Sequence, residues 1–430
     1  MNPTIQNITR GFTLSLSTKA ITMIFSLAYT LIVANALAVG EYGWIVWLMA
    51  LFGNLSLLVG AQVGVEVLSV WTAKLKSKQV INSVFAYVFI ALFAITLLYL
   101  ALLPQLYSFF GGNKQILLTA SALFFLVPMP LLFNAIFWGF KRFGIILKIS
   151  AIDSFANLAI TTALLALGYG VFGVLLGRLL SLIVSSLVSL YYYSGLKFEA
   201  VEPDSHGIKT FTENSIITNV LKVGELQVAL AYLGLFASTT LLGFYFLVQK
   251  ITSYVLELPL RTASDVILPF ACENEPEKYT TYALKFTLAF LIIVGILFCL
   301  FSPLIFVLFP KYSGALFFVP FFALMQVGML NGVMYNFFRA TNKMHLITKI
   351  EGISLAIMVV LGYLAGTYMG IIGLIGLQAI LQCFKFDLCR KYALKEGIDL
   401  DWTPTKKDFV LFWNCIVSEV GSWKKKQYLQ

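Results

Sequence analysis

The stretch INSVFAYVFIALFAITLLYLALL, residues 81–103, contains no charged side chain. An α-helix rises about 1.5 Å per residue, so about 20 apolar residues cross the hydrocarbon core of a bilayer. This stretch is therefore long enough to span a membrane as one helix. Similar apolar runs follow one another along the whole chain. We therefore predict an all-α polytopic membrane protein.

The composition favours the same fold class. Of the 430 residues, 60% are hydrophobic and only 12% are charged, and the mean hydropathy is +0.89. Soluble domains carry about 25% charged residues, so the composition excludes an ordinary water-soluble enzyme. The chain has 30 Lys and Arg against 20 Asp and Glu. In so apolar a chain the positions of the basic residues indicate how the helices are oriented in the bilayer. We predict no binding to nucleic acid.

The apolar runs predict about 12 transmembrane helices. Their approximate bounds are 12–38, 43–70, 81–103, 116–139, 147–168, 172–194, 214–237, 242–268, 282–309, 314–338, 347–367 and 371–391. Very short turns join the runs in pairs, and the connections between pairs hold most of the lysines and arginines. On the opposite side only Lys114 and Lys311 are basic. By the positive-inside rule we predict a multi-pass cell-membrane protein with both termini cytoplasmic.

The sequence also repeats itself at offsets between 199 and 203 residues. The repeated segments are 39–42 with 242–245, 103–104 with 302–303, 147–149 with 348–350, and 170–173 with 370–373. Four matches in order predict two parallel-repeat six-helix lobes around a central cavity, at residues 1–198 and 214–392. Residues 199–213 form the predicted cytoplasmic linker. Residues 393–430 form a cytoplasmic tail, in which 409–417 is either an interfacial amphipathic helix or part of a disordered segment.

Ionisable side chains inside a bilayer are costly and usually face a bundle interior or a wet cavity. The predicted eighth span places Lys250, Glu257 and Arg261 on one helical face, which we expect to line the cleft between the lobes. We predict that Lys250 and Arg261, with Lys222 and Arg178, bind an anionic substrate.

These basic residues also have structural interpretations. Glu257 and Arg261 are spaced to form an ion pair, as are Lys222 and Glu225. Arg178 lies near one end of its span, where it can reach the outer interface instead.

Glu66 and Asp153 are acids in the first half with no cation at pairing distance on the same helix. An unpaired carboxylate inside a membrane suits the binding of a proton or sodium ion, so we predict ion coupling at these two residues. The alternative is pairing across helices with Lys19 or Arg178.

The sequence lacks the motifs of several catalytic classes. No GxxxxGK[ST] motif and no CxxC spacing occurs, and neither His206 nor His345 has a nucleophile credibly paired with it. We therefore predict no bound cofactor or metal and no enzymatic activity.

The chain resembles the polysaccharide-transporter, or O-antigen flippase, branch of the multidrug/oligosaccharidyl-lipid/polysaccharide (MOP) exporter superfamily over residues 8–392. The motifs that carry the resemblance are Leu37-Ala38-Val39-Gly40-Glu41-Tyr42-Gly43, Phe236-Ala237-Ser238 with Leu242-Gly243-Phe244-Tyr245, Pro303-Leu304-Ile305-Phe306-Val307-Leu308-Phe309-Pro310-Lys311-Tyr312-Ser313-Gly314-Ala315, Phe338-Arg339-Ala340-Thr341-Asn342-Lys343, and Gly370 with Gly373. The resemblance implies two six-helix lobes around a cavity and transbilayer movement of a polyprenyl-linked oligosaccharide.

Our leading hypothesis is therefore a flippase that moves a lipid-(di)phosphate-linked glycan to the outer leaflet by alternating access. A diphosphate needs compensating cations to leave water, which the four basic residues would supply. Its expected partners are the lipid-linked glycan, membrane lipids and the glycosyltransferases or polymerase of the same pathway. The alternatives are a cation-coupled multidrug exporter of the same fold, whose cavity should be acidic, and a membrane glycosyltransferase or polymerase, which should have a large outer loop.

Overall fold

The computed structural model describes residues 3–56, 62–110, 114–140, 142–199, 205–257, 260, 276–341 and 343–405. Within these ranges the chain is helical apart from turns, short connections and an isolated β-bridge between Ser77 and Glu199. The predicted all-α fold is confirmed. Arg261 and the candidate interfacial helix at 409–417 lie outside the described residues.

The helices follow the predicted spans, although several spans are built from more than one piece. The α-helices are α1 Pro3–Ala36, α2 Val39–Ser56, α3 Gln62–Leu75, α4 Lys78–Phe110, α5 Lys114–Ala120, α6 Leu123–Leu126, α7 Pro128–Gly139, α8 Phe143–Ala166, α9 Gly170–Ser194, α10 Ser205–Phe236, α11 Thr239–Thr252, α12 Pro276–Phe306, α13 Val319–Met325, α14 Gly328–Ala340 and α15 Met344–Lys395. A π-helical turn, Ser253–Glu257, extends α11, and a 3-10 helix, Pro310–Phe318, precedes α13.

Among the described residues, eight helical segments are long and apolar enough to cross a bilayer, and α1 adds a shorter apolar helix at Ala20–Ala36. The longest, α15, bends at Gly370, where φ is +60°. Glycine adopts this left-handed conformation without the steric cost that a Cβ would bring. The bend divides α15 into a first arm before Gly370 and a second arm after it. These helices are consistent with the predicted 12-helix, two-lobe transporter.

The repeat is visible in the structure. Gly170 begins α9 with a φ of +50°, matching Gly370 at an offset of 200, and Pro104 and Pro303 lie inside α4 and α12. The alignment of residues 39–42 with 242–245 is shifted by three residues, because α2 begins at Val39 and α11 at position 239. The structure therefore pairs Gly43 with Gly243.

Helices of each half pack mainly with one another. In the first half α8 packs against α1 and α9, and α3 packs against α4 and α7; in the second half α15 packs against α10 and α14. The outer faces of α4 and α12 expose large apolar side chains, which suit contact with lipid. These are Ile90, Phe93, Leu97, Leu300 and Leu304.

The two halves meet where α2 crosses α11. A Cβ atom on Gly43 would collide with the backbone of Gly243, and one on Gly243 would collide with the carbonyl of Val39. Only glycine allows the two backbones to approach so closely. We call this contact the glycine crossing. It lies near the α1–α2 and α10–α11 connections, which define the junction end of the bundle; the opposite end is the terminal end.

A buried tyrosine reinforces the junction end. Tyr312 is fully buried, its hydroxyl donates to the carbonyl of Ala34 at 3.2 Å, and its ring makes edge contacts with Tyr42 and Phe244. Nearby, Lys311 Nζ donates to the carbonyl of Asn35 at 2.7 Å. The halves are therefore tied together at this end by apolar packing and hydrogen bonds across the lobes.

Candidate substrate cleft between the lobes

On one side of the molecule α10 packs along both α2 and α3, and we call this contact the closed seam. Near the junction end, Trp47 Nε1 donates to the carbonyl of Leu230 at 2.9 Å. Further along, Gln227 Nε2 donates to the carbonyl of Leu51 at 3.2 Å. These bonds join the lobes across residues more than 170 positions apart in sequence.

The closed seam continues to the terminal end through Glu66 of α3. Its carboxylate accepts a hydrogen bond from Asn219 Nδ2 of α10 at 3.1 Å and forms an ion pair with Arg339 of α14 at 3.0 Å. Both partners belong to the other lobe. Glu66 therefore pairs across helices, as one interpretation of the sequence expected, but with Arg339. The side chain of Lys19 lies outside what the structure describes.

Asp153 also has a cation on a neighbouring helix. Arg178 Nη1 of α9 lies 3.1 Å from Asp153 Oδ2 of α8 and 3.4 Å from Ser181 Oγ. The pairing of Asp153 with Arg178, expected as the alternative to ion coupling, is present. Both side chains are partly exposed, at 24% for Asp153 and 30% for Arg178. Arg178 therefore offers a compensated cation rather than a free one.

On the other side of the molecule α1 faces α11, and we call these facing surfaces the open seam. Gly243, Lys250 and Tyr254 are spaced by seven and four residues, which places them on one face of the α11 segment. At Gly243 this face touches Val39 of the first lobe, whereas at Lys250 it is exposed. This face of α11 therefore contacts the first lobe at Gly243 and is exposed at Lys250.

Lys250 is an exposed basic residue on the open seam. Its Nζ lies 5.9 Å from the ring centroid of Tyr254, a cation–π distance. Tyr254 is buried and lies near Tyr29 and Tyr42 of the first lobe. Within the described residues, no carboxylate forms an ion pair with Lys250. The sequence likewise has no acid three or four residues from Lys250.

The other predicted residues of the second lobe are more dispersed. Lys222 lies on an exposed position of α10. Glu257, in the π-helical turn, accepts a hydrogen bond from Ser253 Oγ at 2.8 Å. Arg261 lies outside the described residues, so its predicted role stays a prediction.

The structure reveals one charged cluster that the sequence prediction missed. Lys385, on the second arm of α15, lies 2.7 Å from a carboxylate oxygen of Glu225 and 2.9 Å from one of Glu351. We call these three residues the Glu–Lys–Glu cluster. Glu225 had been matched with Lys222 on its own helix. The available signal was Lys385 in the interior of the apolar run 371–391 and a lone glutamate, Glu351, within 347–367.

At the terminal end the segment after α15 folds back on the second lobe. Asp401 pairs with Lys285 at 2.7 Å, and Glu396 pairs with Lys343 at 2.8 Å. Hydrogen bonding to Lys343 and its positive charge lower the pKa of Glu396, and hydrogen bonding to Lys285 and Thr403 lowers the pKa of Asp401. These contacts lie outside both seams.

Comparison with known proteins rests on the fold. No family model matches the sequence, and no curated protein matches it. An inward-facing multidrug resistance MATE family transporter of the MOP superfamily superposes with a TM-score of 0.65 at 16% identity, covering 90% of this chain and 99% of that chain. An outward-facing structure of such a transporter gives 0.64 at 15%, covering 90% and 96%.

A third neighbour is a MOP superfamily transporter from Pyrococcus furiosus, characterised by the reverse polarity of its binding pocket. Its TM-score is 0.61 at 15% identity, covering 90% of this chain and 96% of that chain. The protein described here therefore has the fold of MOP-superfamily transporters and is a multi-pass membrane protein. At these identities the likeness establishes the fold alone.

Proposed function

We propose that this protein is an alternating-access exporter whose cargo is an amphiphile with an anionic head, namely a polyprenyl-(di)phosphate-linked oligosaccharide. The observation that carries the proposal is Lys250, an exposed cation on the lobe-facing surface of α11 with no carboxylate partner among the described residues. Charged side chains within a membrane-spanning helix are normally paired or face a water-filled cavity. A cation kept without an acid in such a cleft suits an anionic ligand.

The charge of the remaining described groups supports this cargo over a cationic drug. Asp153 is compensated by Arg178, and Glu66 by Arg339. Among the described residues, these two first-lobe acids each have a cation partner, whereas Lys250 forms no ion pair with a carboxylate. A phosphate-bearing head group would bind Lys250 by charge-assisted hydrogen bonds. The glycan would occupy the polar cleft, and the prenyl chain would remain in lipid.

Orientation follows from charge, as in the sequence prediction. The terminal end carries most of the basic connections, so we place this end on the cytoplasmic side of the plasma membrane. In this orientation the open seam faces the cytoplasm, where lipid-linked glycans are assembled. Arg178, Lys222 and Arg261 are proposed to assist Lys250 as the lobes move, and ion binding at Glu66 or Asp153 stays a prediction.

The proposal is tested with Lys250→Met in a strain that lacks the chromosomal copy of the gene. We expect loss of surface glycan at unchanged protein level, with partial recovery in Lys250→Arg, because arginine keeps the charge. The matched control is Lys395→Met, because Lys395 is also exposed and lies 5.8 Å from the ring of Tyr392, but at the terminal end of α15. Normal surface glycan in Lys250→Met would refute the proposed role.

The second candidate is a cation-coupled multidrug exporter, favoured by the MATE family transporters among the structural neighbours. Purified protein in proteoliposomes separates the two functions. A fluorescent polyprenyl-diphosphate oligosaccharide should change leaflet, and Lys250→Met should prevent this. Efflux of a lipophilic cation, unaffected by Lys250→Met, would instead establish the drug exporter.

A further inference from the structure

The first turns of α8 and the last turns of α9 form an exposed surface that the proposed transport site does not include. The β-bridge between Ser77 and Glu199 joins the segment after α9 to the α3–α4 connection, which places this surface at the terminal end of the first lobe. Here Lys148 of α8 is exposed, and its Nζ lies 5.9 Å from the ring centroid of Tyr192 of α9. The name lysine–tyrosine face is given to the surface formed by Lys148, Ile152, Leu187, Leu190, Tyr191 and Tyr192.

Beyond the lysine the face is apolar. Ile152 lies one turn along α8 from Lys148, and both side chains are exposed. On α9, Leu187, Leu190 and Tyr191 follow one another at helical spacing and are each more than half exposed. Exposed apolar side chains on a membrane-spanning helix suit contact with acyl chains, and tyrosine is enriched at the level of the lipid head groups. The face therefore extends from the head-group level into the acyl region.

The charge of Lys148 is not compensated by an acid of the chain. Among the described residues, no carboxylate forms an ion pair with Lys148. The acids nearest to the face along the sequence have other partners, since Asp153 pairs with Arg178 at 3.1 Å and Glu199 with Lys76 at 2.9 Å. A positive charge thus lies at the edge of an apolar surface. An anionic head group followed by acyl chains is complementary to both parts.

The second lobe supplies an acid at the repeat-related position. Lys148 corresponds to Lys349 at an offset of 201, and Lys349 is also exposed. In the second lobe the segment after α15 folds back, so that Glu396 pairs with Lys343 at 2.8 Å and lies near Lys349. A carboxylate of the chain therefore accompanies Lys349, whereas Lys148 is left for an anion from outside the chain.

The neighbouring helix differs between the lobes in the same sense. At an offset of 200, three apolar or aromatic residues of α9 correspond to three charged residues at the end of α15. Leu187, Leu190 and Tyr191 correspond to Asp387, Arg390 and Lys391. Two of these charged residues, Asp387 and Lys391, form an ion pair at 2.6 Å. The end of α15 therefore suits water, and the end of α9 suits lipid.

We propose that the lysine–tyrosine face binds an anionic glycerophospholipid. The lipid phosphate accepts a charge-assisted hydrogen bond from Lys148 Nζ, and the acyl chains lie along the exposed sides of α8 and α9. The lipid supplies to the first lobe the negative charge that Glu396 supplies to the second. Its assignment to the cytoplasmic leaflet rests on the orientation proposed above, whereas the binding itself does not depend on the exporter function.

Native mass spectrometry of the full-length protein, titrated with phosphatidylglycerol or phosphatidylcholine in detergent, tests the binding without any cargo. We expect phosphatidylglycerol to bind more tightly than phosphatidylcholine. Lys148→Met should weaken phosphatidylglycerol binding about fivefold, the typical contribution of one basic residue beside an anionic lipid, and Lys148→Arg should retain the binding. Lys349→Met is the matched control and should leave the affinity unchanged, because Glu396 lies near Lys349.

Three results would overturn the proposal. Equal affinities for the two lipids, or equal losses in Lys148→Met and Lys349→Met, would show that the face does not select an anionic lipid. A polyprenyl phosphate that binds more tightly than phosphatidylglycerol, with its binding lost in Lys148→Met, would assign the face to the cargo instead. A dimer that dissociates in Lys148→Met would make the face an interface between two copies of the chain. Failure of glycan transport with intact phosphatidylglycerol binding would count against the exporter function alone.

Discussion

The closed and open seams occupy repeat-related positions, yet side-chain contacts join the lobes along the closed seam, whereas the open seam has an exposed lysine, Lys250. At an offset of 200, the residues that bond across the closed seam correspond to residues unable to make the same bonds. Trp47 corresponds to Leu247 and Gln227 to Leu27, and leucine has no side-chain hydrogen-bond donor. The two lobes share a backbone plan, and the side chains at a few positions decide which side opens.

The functional residue shows the same asymmetry. Lys250 on the open seam corresponds to Ala50 on α2. The two halves of the repeat therefore share the same helices. Polar contacts between the lobes lie on the closed seam, and the uncompensated cation lies on the open seam. The repeat establishes the architecture, and departures from the repeat establish the proposed site.

The largest expected effect comes from the glycine crossing, which both seams share. Gly43→Ala places a methyl group against the backbone of Gly243. A helix backbone cannot move aside as readily as a flexible side chain. We therefore expect Gly43→Ala to lower the free energy of unfolding by about 3 kcal/mol. Thermal unfolding in detergent measures this loss.

Gly53 provides the control, because it lies in the same helix and a Cβ there meets nothing within 4 Å. Gly53→Ala should be neutral or stabilising by up to about 1 kcal/mol. Equal melting temperatures in the two variants would contradict a tight crossing.

A smaller effect is expected from breaking the closed seam at the terminal end. Glu66→Gln removes the carboxylate that pairs with Arg339 at 3.0 Å. Both side chains are partly exposed, so we expect a cost of about 2 kcal/mol, below that of a fully buried pair. A double-mutant cycle with Arg339→Gln, read by thermal unfolding, measures the coupling. Additive single effects would show that the pair does not hold the seam.

The contrast between the seams is sharpened by labelling with a water-soluble maleimide in a variant without native cysteines. Lys250→Cys on the open seam should react at least about tenfold faster than Ser215→Cys, because buried groups react only through opening. Ser215 lies on α10 and is fully buried. Comparable rates at the two positions would show that the open seam is closed in the membrane.

The smallest effect is expected at the terminal end, away from both seams. The pKa of Glu396 lies below its usual value of 4.5 because of Lys343. The stabilisation is therefore present above the usual pKa and is lost as the pH falls through the lowered value. Glu396→Gln should slightly reduce the melting temperature at neutral pH, and the difference from wild type should vanish once the pH is below the lowered pKa of Glu396. A larger fall in the melting temperature of Glu396→Gln in acid than at neutral pH would contradict this pH dependence.

Much of the fold was accessible from sequence, because bilayer thickness fixes span length and the apolar runs are long. The short turn predicted between the last two apolar runs is the bend at Gly370, where glycine adopts a left-handed conformation. The register of the first repeat did not, since apolar helices tolerate a shift of a few residues. The bounds of the lobes, linker and tail stay predictions.

The site was less accessible than the fold. Spacing along one helix identified Lys250, since its helix offers no acid at the right position. The same reasoning matched Glu225 with Lys222, whereas Lys385 pairs with Glu225 from a helix 160 residues away in sequence. Helical periodicity in a single sequence identifies neighbours on the same helix. It does not identify partners on other helices, and the intramembrane charges find their partners there.

The bend at Gly370 has a practical consequence for work on whole cells. The two arms of α15 turn back on each other through a single residue, so this part of the molecule presents almost no loop. An epitope tag or protease site inserted there would interrupt two helices at once. Tags that report which side of the membrane a segment faces are better placed at the chain ends. An antibody raised against the intact protein would find little exposed loop to bind at this bend.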